Sequence, residues 1–428
     1  MSSPTITAAE SEALALDRAD PLRTSRDRFH IPRTPDNTAE VVYLCGNSLG
    51  LMPRATRDAV LEDLDDWARL GVEGHFHARR PWFPAHEFCR ESAARLVGGL
   101  PHEVVVMNSL TVNLHLMMAT FYRPTPDRFK IVIEDAAFPS DSYAVCSQAD
   151  WHGLNPDEAI VRLRPRAGEH ALRTEDILET IERHGRSISL VMLGGVNYLT
   201  GQVFDFARVT EAGHRVGAYV GWDLAHAAGN IPLHLHDWNA DFACWCSYKY
   251  LNSGAGAVAG CFIHERHTRN TGLPRLAGWW GNDPATRFKM GPEFVPVPTA
   301  DAWAISNPPV LALTPVRVSL EIFDKATMPA LRRKSLALHT YLRSQIESLN
   351  SSALELITPR EDEAHGSQLS IAVRDRPREL FNALTADHVM CDYREPNVVR
   401  LAPVPLYNTF HDCWRFAEIL RKHLRPDA

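Results

Sequence analysis

The chain has 428 residues, of which 45% are hydrophobic, and its formal net charge is −7. A chain of this length can bury more than one core, and no lysine- and arginine-rich run forms the basic footprint of a nucleic-acid-binding protein. The first residues lack the basic start and apolar core of a signal peptide, and no segment approaches the ~20 apolar residues of a membrane span. These features predict a cytoplasmic protein of two or three domains that acts on a small molecule, with neither nucleic acid nor membrane as a partner.

The eight cysteines are scattered through the chain, mostly in apolar contexts. This distribution is typical of reduced thiols in a cytosolic protein rather than of a disulfide framework. Cys244 and Cys246 are two residues apart, but no further ligands at metal-binding spacing accompany them. We therefore expect no metal site.

The first strong element in chain order is a helix from Pro53 to Leu70. Its apolar side chains recur on one face, as in an amphipathic helix. The members of this face are Val60, Leu61, Leu64, Trp67 and Ala68. We expect the face to pack against the C-terminal domain, so that residues 1–75 form an N-terminal segment associated with that domain.

Residues 76–309 alternate between strand and helix. The segments "FKIVIEDAAF", "SISLVMLGG", "GAYVGWD" and "DFACWC" predict strands, and helical patterns such as "TEDILETIERHG" lie between them. This alternation predicts a large domain with a mostly parallel sheet covered by helices on both faces. Ligands of such sheets bind at the carboxyl ends of the strands, where Phe138, Asn197, Asp223 and Lys249 fall.

Residues 310–428 have a different pattern. The segment "VRVSLEIFDKATMPALRRKSLALHTYLRSQIESLN" predicts one or two amphipathic helices, and the alternating segments "SQLSIAVRD" and "VVRLAPVPLYN" predict a small antiparallel sheet. This is a second, smaller α+β domain. No internal repeat or low-complexity linker separates it from the first, so we expect the two domains to share an interface.

Lys249 lies in "CWCSYKYLNSGAGAVAG", among small, aromatic and sulfur-containing residues typical of a protein interior. A lysine is rarely buried unless it is paired, neutralised or used covalently. A Schiff-base lysine requires an aldehyde cofactor, usually pyridoxal 5'-phosphate (PLP). Asp223 ends an apolar strand 249 − 223 = 26 residues earlier. Its carboxylate could hold the protonated pyridine nitrogen, or it could simply cap the next helix.

Two further segments fit PLP. Asn108, Ser109 and Thr111 precede an apolar helix, where backbone amides and hydroxyls can bind a phosphate, although an ordinary helix cap has the same sequence. Phe138 in "AFPSD" could stack on the pyridine ring or belong to the core. Each signal is weak alone, and their combination favours a PLP enzyme.

Longer blocks carry a resemblance to a known family. They are "CGNSLGLMP", "RRPWF", "MNSLTVNLHLMM", "AFPSDSYA", "GVNYLTGQ", "GWDLAHAAGN", "DFACWCSYKYLNSGAG", "GWWGND", "RFKM", "ISNPP" and "VRLAPVPLYNTFHD". In this order they resemble kynureninase over residues 40–420. The resemblance implies a PLP-dependent transferase of fold type I, with a seven-stranded sheet in its large domain. It also implies a homodimer with active sites at the subunit interface, acting in tryptophan catabolism and NAD biosynthesis.

The implied activity is that of a hydrolase acting on C–C bonds in ketonic substances. The substrate is kynurenine or 3-hydroxykynurenine, and the products are the corresponding anthranilate and L-alanine. By resemblance Lys249 is the Schiff-base lysine and the base at Cα, while Tyr248 binds the phosphate and is the best candidate for the general base in hydration of the γ-carbonyl. The other implied cofactor contacts are Leu110, Thr111, Phe138, Asp141, Asp223, His226, Trp279 and Asn307, the last two supplied across the dimer interface. The implied substrate contacts are Ser48, His75, Asn307 and Arg400.

Arg400 is implied to grip the α-carboxylate of the substrate, a role that suits a planar bidentate fork. Gly194 stands where some members of the family have a serine, which removes one hydroxyl contact to the cofactor. Members that favour 3-hydroxykynurenine resemble this chain at His75 and Asn307. A polar pocket rejects a substrate that lacks the matching hydroxyl, so we predict a preference for 3-hydroxykynurenine.

Three alternatives remain open. The reaction could act on a kynurenine with other ring substituents in a specialised biosynthetic pathway. The chain could be another fold type I enzyme, such as an aminotransferase or a cysteine desulfurase, although no cysteine has the mobile-loop setting that a desulfurase needs. A binding protein without chemistry is disfavoured, because Lys249 and Asp223 would be costly to bury without a cofactor.

Overall fold

The computed structural model describes residues 7–424. The strands in this range are β1 (Val42–Tyr43), β2 (Val104–Val106), β3 (Lys130–Glu134), β4 (Ile160–Leu163), β5 (Ile188–Gly194), β6 (Tyr219–Asp223), β7 (Phe242–Trp245), β8 (Gly260–Ile263), β9 (Leu354–Leu356), β10 (Leu369–Val373), β11 (Val389–Met390), β12 (Asp392–Arg394) and β13 (Val398–Leu401). The α-helices are α1 (Ala8–Ala19), α2 (Ala55–Leu70), α3 (Gly74–His77), α4 (Arg90–Val97), α5 (Leu110–Phe121), α6 (Pro139–Trp151), α7 (Pro156–Ala159), α8 (Thr174–His184), α9 (Phe206–Arg215), α10 (Glu265–Thr268), α11 (Pro284–Arg287), α12 (Val310–Ala326), α13 (Met328–Glu347), α14 (Pro377–Ala386) and α15 (Phe410–His423).

The large domain is built on a seven-stranded sheet with the order β2-β8-β7-β6-β5-β3-β4. The pairs from β7 to β4 are parallel, and β8 is antiparallel to both of its neighbours. Every residue of β2, β7 and β8 is buried, as expected of strands that are covered on both faces. The predicted seven-stranded, mostly parallel sheet is confirmed.

Alternate residues of β5 enter two different cores. Val191 and Leu193 join one core together with Ile177 of α8. Leu190 and Met192 join the other, which also contains residues of α5 and α6. Successive side chains of a strand point to opposite faces of the sheet, so this apolar strand buries both of its faces under helices.

The small domain contains a four-stranded antiparallel sheet with the order β12-β13-β10-β9. Helices α13 and α15 pack against each other, and α14 packs against α15. The N-terminal residues join this domain, because β1 pairs with β11 and α1 contacts α15. The Asp17 carboxylate accepts hydrogen bonds from the backbone N–H groups of Phe410 and His411 at 2.7 and 3.1 Å, which ties α1 to the first turn of α15.

Helix α12 follows residue 310 in sequence but packs with the large domain. It contacts α2 and α4, and Leu313, Val316 and Leu320 belong to the same core as the helices α8 and α9. The core of the small domain begins instead with residues of α13, such as Leu338.

The predicted packing of α2 is wrong. The face expected to be buried is exposed in this chain, with 38% exposure for Leu64 and 59% for Trp67. The face turned inward carries Asp63, which accepts a hydrogen bond from the hydroxyl of Thr314 on α12 and lies 3.5 Å from Arg80 Nη2. The apolar face of α2 therefore remains available for a contact outside the chain.

No helix within residues 7–424 is long and apolar enough to cross a membrane. All eight cysteines are free thiols. The cytoplasmic location stays a prediction.

Candidate active site

A cavity of about 310 Å³ opens at the carboxyl ends of the parallel strands. Glu134, Gly194 and Asp223 end three neighbouring strands and line one side of it. Arg394 and Arg400 of the small sheet line another side. The cavity therefore lies between the two domains, where residues distant in sequence meet.

Most of the predicted site residues converge on this cavity. They are Ser48, Leu110, Thr111, Phe138, Asp141, Asp223, His226, Tyr248, Lys249 and Arg400. Three predicted residues lie elsewhere on the chain. His75 packs its ring against Trp82 at a centroid distance of 5.6 Å, while Trp279 and Asn307 are exposed. Their predicted roles require a second chain.

Lys249 follows β7 and reaches the cavity beside a histidine. Its Nζ atom lies 3.0 Å from Nε2 of His226 and 5.7 Å from the centroid of the Phe138 ring. Burial, followed by the charges of Lys249 and Arg400, lowers the pKa of His226 well below its usual value. The imidazole is therefore neutral, and its Nε2 can accept a hydrogen bond from the lysine. Its buried Nδ1 has no partner among the described residues.

Three buried carboxyl groups line the same cavity. Burial raises the pKa of Asp223 and of Asp141, and the Asp223 charge raises the pKa of Asp141 further. Burial raises the pKa of Glu134 to about 7. Buried carboxylates are stabilised by a cation, so this wall suits a protonated ring nitrogen. Asp223 also accepts a 2.7 Å hydrogen bond from the Ala225 N–H, so it caps the following turn as well as facing the cavity.

Two helices begin at the cavity. Ser109 is the N-cap of α5 and makes no side-chain capping bond, and Leu110 and Thr111 form the first turn. The hydroxyls of Thr111 and Ser140, from the starts of α5 and α6, lie 2.9 Å apart. Unbonded N–H groups and the positive end of the helix dipole favour an anion such as a phosphate at this position.

Arg400 is 1% exposed and holds most of its donors fixed. Its Nε and Nη2 atoms bind the two carboxylate oxygens of Asp392 at 3.0 and 2.8 Å, and Nη1 donates to the Tyr198 carbonyl at 2.7 Å. A guanidinium has five N–H donors, so one donor on each of Nη1 and Nη2 is left for a ligand.

Sequence reasoning missed several residues of the cavity wall. They are Asn47, Glu134, Ser140, Tyr198 and Arg394. Glu134 carries the same signal as Asp223, an acidic residue at the end of an apolar strand. Arg394 could have been found from the alternation in "DYR", which places it on the same strand face as Asp392. We find no comparable signal for Tyr198.

Gly194 lies against Glu134. The Gly194 N–H donates to Oε1 of Glu134 at 3.1 Å, and a Cβ atom at position 194 would lie 2.9 Å from that oxygen. A serine at this position would therefore face the Glu134 carboxyl group. The Glu134 carboxyl group thus supplies polar atoms close to the place of the missing hydroxyl.

The donor set fits PLP. Lys249 supplies the amine, Asp223 and Asp141 supply carboxyl groups for a ring nitrogen, and the first turn of α5 supplies N–H groups for a phosphate. The unpartnered Nδ1 of His226 leaves a further polar atom for a ligand.

Comparison with known proteins decides the family. Residues 42–268 match the aminotransferase class-V family, and residues 331–420 match the kynureninase C-terminal domain. A kynureninase of Myxococcus xanthus is 55% identical over 417 residues, covering 97% of this chain and 98% of that protein. A kynureninase of Koribacter versatilis is 54% identical over 409 residues, covering 96% of each. The chain belongs to the kynureninase family.

Solved structures with low sequence identity share the fold of this kynureninase. A cysteine desulfurase of Thermococcus onnurineus superposes with a TM-score of 0.74 at 16% identity, covering 99% of both chains. A C-DES variant with glycine covalently linked to its PLP cofactor gives a TM-score of 0.76 at 15% identity, covering 92% of this chain and 98% of that one. The predicted fold type I class is confirmed. As a kynureninase, the protein is a PLP-dependent hydrolase, which sets aside the other fold type I activities.

Proposed function

We propose that this kynureninase cleaves the Cβ–Cγ bond of 3-hydroxykynurenine in preference to that of kynurenine. Water supplies the OH that ends on Cγ and the hydrogen that ends on Cβ. The products are then 3-hydroxyanthranilate and L-alanine. The cleavage reaction is supported by one observation, the convergence of Lys249, Asp223 and Arg400 on one cavity.

Each of these residues has a separate task in the proposed reaction. When bound, PLP supplies an aldehyde that reacts with amines and a pyridinium ring that accepts an electron pair. Asp223 would hold a proton on the ring nitrogen of bound PLP, and Phe138 would contribute an apolar wall beside it. Lys249 takes the proton from Cα of the substrate, while the neutral His226, 3.0 Å away, orients the amine. Arg400 binds the α-carboxylate with its two remaining donors.

Tyr248 acts in this scheme as a proton donor. Burial raises the pKa of its phenol above the usual value, and the adjacent Cys246 adds to the effect. The hydroxyl therefore keeps its proton at neutral pH. It can give that proton to the γ-carbonyl oxygen while water attacks Cγ, and the resulting phenolate then takes a proton from the attacking water, which gives the gem-diol and restores the phenol. In taking the proton of the attacking water, Tyr248 would have the general-base role in hydration that is predicted from the sequence.

We further propose that the protein is a homodimer whose partner supplies His75, Trp279 and Asn307. Ring contacts link Phe76 to Phe83 at 6.0 Å, Phe83 to Phe288 at 5.8 Å and Phe288 to Trp279 at 5.6 Å. His75 adjoins Phe76, so His75 and Trp279 border one aromatic surface. Exposed apolar patches of this kind mark interaction sites. Helix α2, which contacts α3, presents a further exposed apolar face.

The substrate preference is tested with the PLP-loaded enzyme on L-kynurenine and 3-hydroxy-L-kynurenine. We expect kcat/KM to be about five- to 150-fold larger for the hydroxylated substrate, because a polar group left unpaired costs about 1–3 kcal/mol. His75→Ala should reduce this ratio, whereas His77→Ala, two residues away and exposed, should leave it unchanged. Equal values in the wild type would contradict the preference and leave the kynureninase activity intact. Turnover of neither substrate would contradict the proposed reaction.

A further inference from the structure

We propose that Arg394 is a second arginine of the α-carboxylate site and that it makes the enzyme favour α-amino acids over amines that lack this carboxylate. The inference rests on the proposed role of Arg400. The two arginines share one carboxylate, that of Asp392, and both line the cavity.

The backbone brings the three side chains together. Strands β12 and β13 are antiparallel, and Asp392 stands opposite Arg400 in their register. Directly opposite residues of an antiparallel pair project from the same face. Arg394 is two residues beyond Asp392 on the same strand, so it projects from that face as well.

The pair formed by Arg400 and Asp392 provides no net positive charge for a bound carboxylate. Arg400 and Asp392 form a buried pair with two hydrogen bonds, at 3.0 and 2.8 Å, and the formal charge of this pair is zero. A neutral pair attracts an anion weakly, whereas a net cation in a site of low dielectric attracts it strongly. Arg394 adds the missing unit of positive charge, and the α-carboxylate of an amino acid would neutralise the trio.

The contacts of Arg394 leave it free to meet a ligand. Its Nη2 atom donates to Asp392 Oδ2 at 3.1 Å. Its Nε atom lies 3.0 Å from Asp392 Oδ1 but makes no hydrogen bond within the described chain, so a buried donor remains unused. The side chain is 35% exposed, against 1% for Arg400. Arg394 is thus the member of the trio that can move toward the cavity.

The charge of Arg394 acts on His226 at the centre of the site. After burial and the charges of Lys249 and Arg400, Arg394 is a further cause of the lowered pKa of His226. His226 contacts Lys249 directly. The positive potential of Arg394 therefore extends to the place where the amino acid must bind.

Binding of L-alanine and of ethylamine to the PLP-loaded enzyme tests this inference. Ethylamine is alanine without its carboxylate, and each titration is followed by the change in cofactor absorbance. We expect Arg394→Gln to raise the Kd of L-alanine at least tenfold and to change that of ethylamine less than twofold. Arg394→Lys should recover part of the loss, because it restores the charge. Arg374→Gln, which removes an exposed arginine paired with Glu355 outside the cavity, is the matched control.

Two results would overturn the inference. An unchanged Kd for L-alanine in Arg394→Gln would remove Arg394 from the carboxylate site. Equal weakening of L-alanine and ethylamine would assign it a purely structural role. If the wild type turns over neither kynurenine, the proposed reaction fails, but the comparison of L-alanine with ethylamine still decides the role of Arg394.

Discussion

The nearest polar partner of Lys249 is an uncharged side chain. Its nearest polar contact is a neutral imidazole nitrogen at 3.0 Å, and no carboxylate oxygen of residues 7–424 lies within 4.0 Å of its amine. A neutral imidazole can hold the amine in place by a hydrogen bond without forming an ion pair with it. The arrangement suits a residue that must react as an amine and carry a proton in turn.

Glu134 makes the stability of the cofactor-free protein depend on pH. Its pKa is raised to about 7, from about 4.3 in an unfolded chain, because the group is buried. The stability contributed by the protonated carboxyl is complete below pH 4.3 and is lost as the pH rises through 7. Glu134→Gln keeps the shape and an oxygen for the Gly194 N–H but does not titrate.

We therefore expect the free energy of unfolding of Glu134→Gln to change less between pH 5 and pH 7.5 than that of the wild type. The difference should approach 1 to 3 kcal/mol, since each pKa unit corresponds to about 1.4 kcal/mol. Urea denaturation of both cofactor-free proteins at the two pH values measures it. Identical pH dependence in the two proteins would mean that folding does not raise the pKa of Glu134. Glu182→Gln, at an exposed position of α8, is the control.

At the scale of elements, α2 reverses the usual orientation of an amphipathic helix. Its buried Asp63 binds Thr314 and lies near Arg80, while Leu64 faces outward. The two faces therefore serve different purposes: the polar face docks the helix on α12, and the apolar face is left for another surface.

Substitutions on the two faces of α2 should separate folding from assembly. Asp63→Ala should lower the free energy of unfolding by about 1–3 kcal/mol, because it leaves the Thr314 hydroxyl with only a long bond to the Val310 carbonyl and Arg80 with only the more exposed Glu62. Leu64→Ala should leave the stability of the folded subunit nearly unchanged and weaken the proposed dimer. Denaturation curves and the concentration dependence of the molar mass measure the two effects. Large loss of subunit stability in Leu64→Ala would contradict the exposure of this face.

At the scale of the whole molecule, the cavity of one chain contains Lys249 and Asp223 but lacks three of the predicted contacts. His75, Trp279 and Asn307 lie outside it and near a surface with exposed aromatic rings. In the proposed dimer each site would combine Lys249 from one chain with Trp279 from the other.

Mixed dimers test this arrangement. Lys249→Ala and Trp279→Ala homodimers should each have little or no activity. Unfolding and refolding the two variants together should restore activity, because one site of a mixed dimer combines an intact Lys249 with an intact Trp279 from the partner. We expect up to half of the wild-type activity per mixed dimer. Mixing Lys249→Ala with Asp223→Ala is the control, since both residues line the cavity of one chain. Each mixed dimer then has two damaged sites, so this mixture should stay inactive. An inactive first mixture in which mass measurement shows that mixed dimers have formed would place Trp279 in the site of its own chain.

Prediction from the sequence succeeded where the signal is local. The strands that end at Asp223 and before Lys249 show as apolar runs, and their parallel arrangement follows from the alternation with helices. Prediction was less successful for α2 and α12. Amphipathic periodicity identifies an apolar face, but it does not say whether that face meets its own chain or another one.

The sequence by itself determined the strand–helix order, the positions of Lys249, Asp223 and Phe138 at strand ends, and the family to which these residues point. Only the tertiary structure decided that Glu134 lies against Gly194 and that Arg394 joins Arg400 through Asp392. The reason is physical. Side-chain periodicity is a property of neighbouring residues, whereas burial, charge balance and pKa shifts depend on groups that come together only when the two domains pack around the cavity.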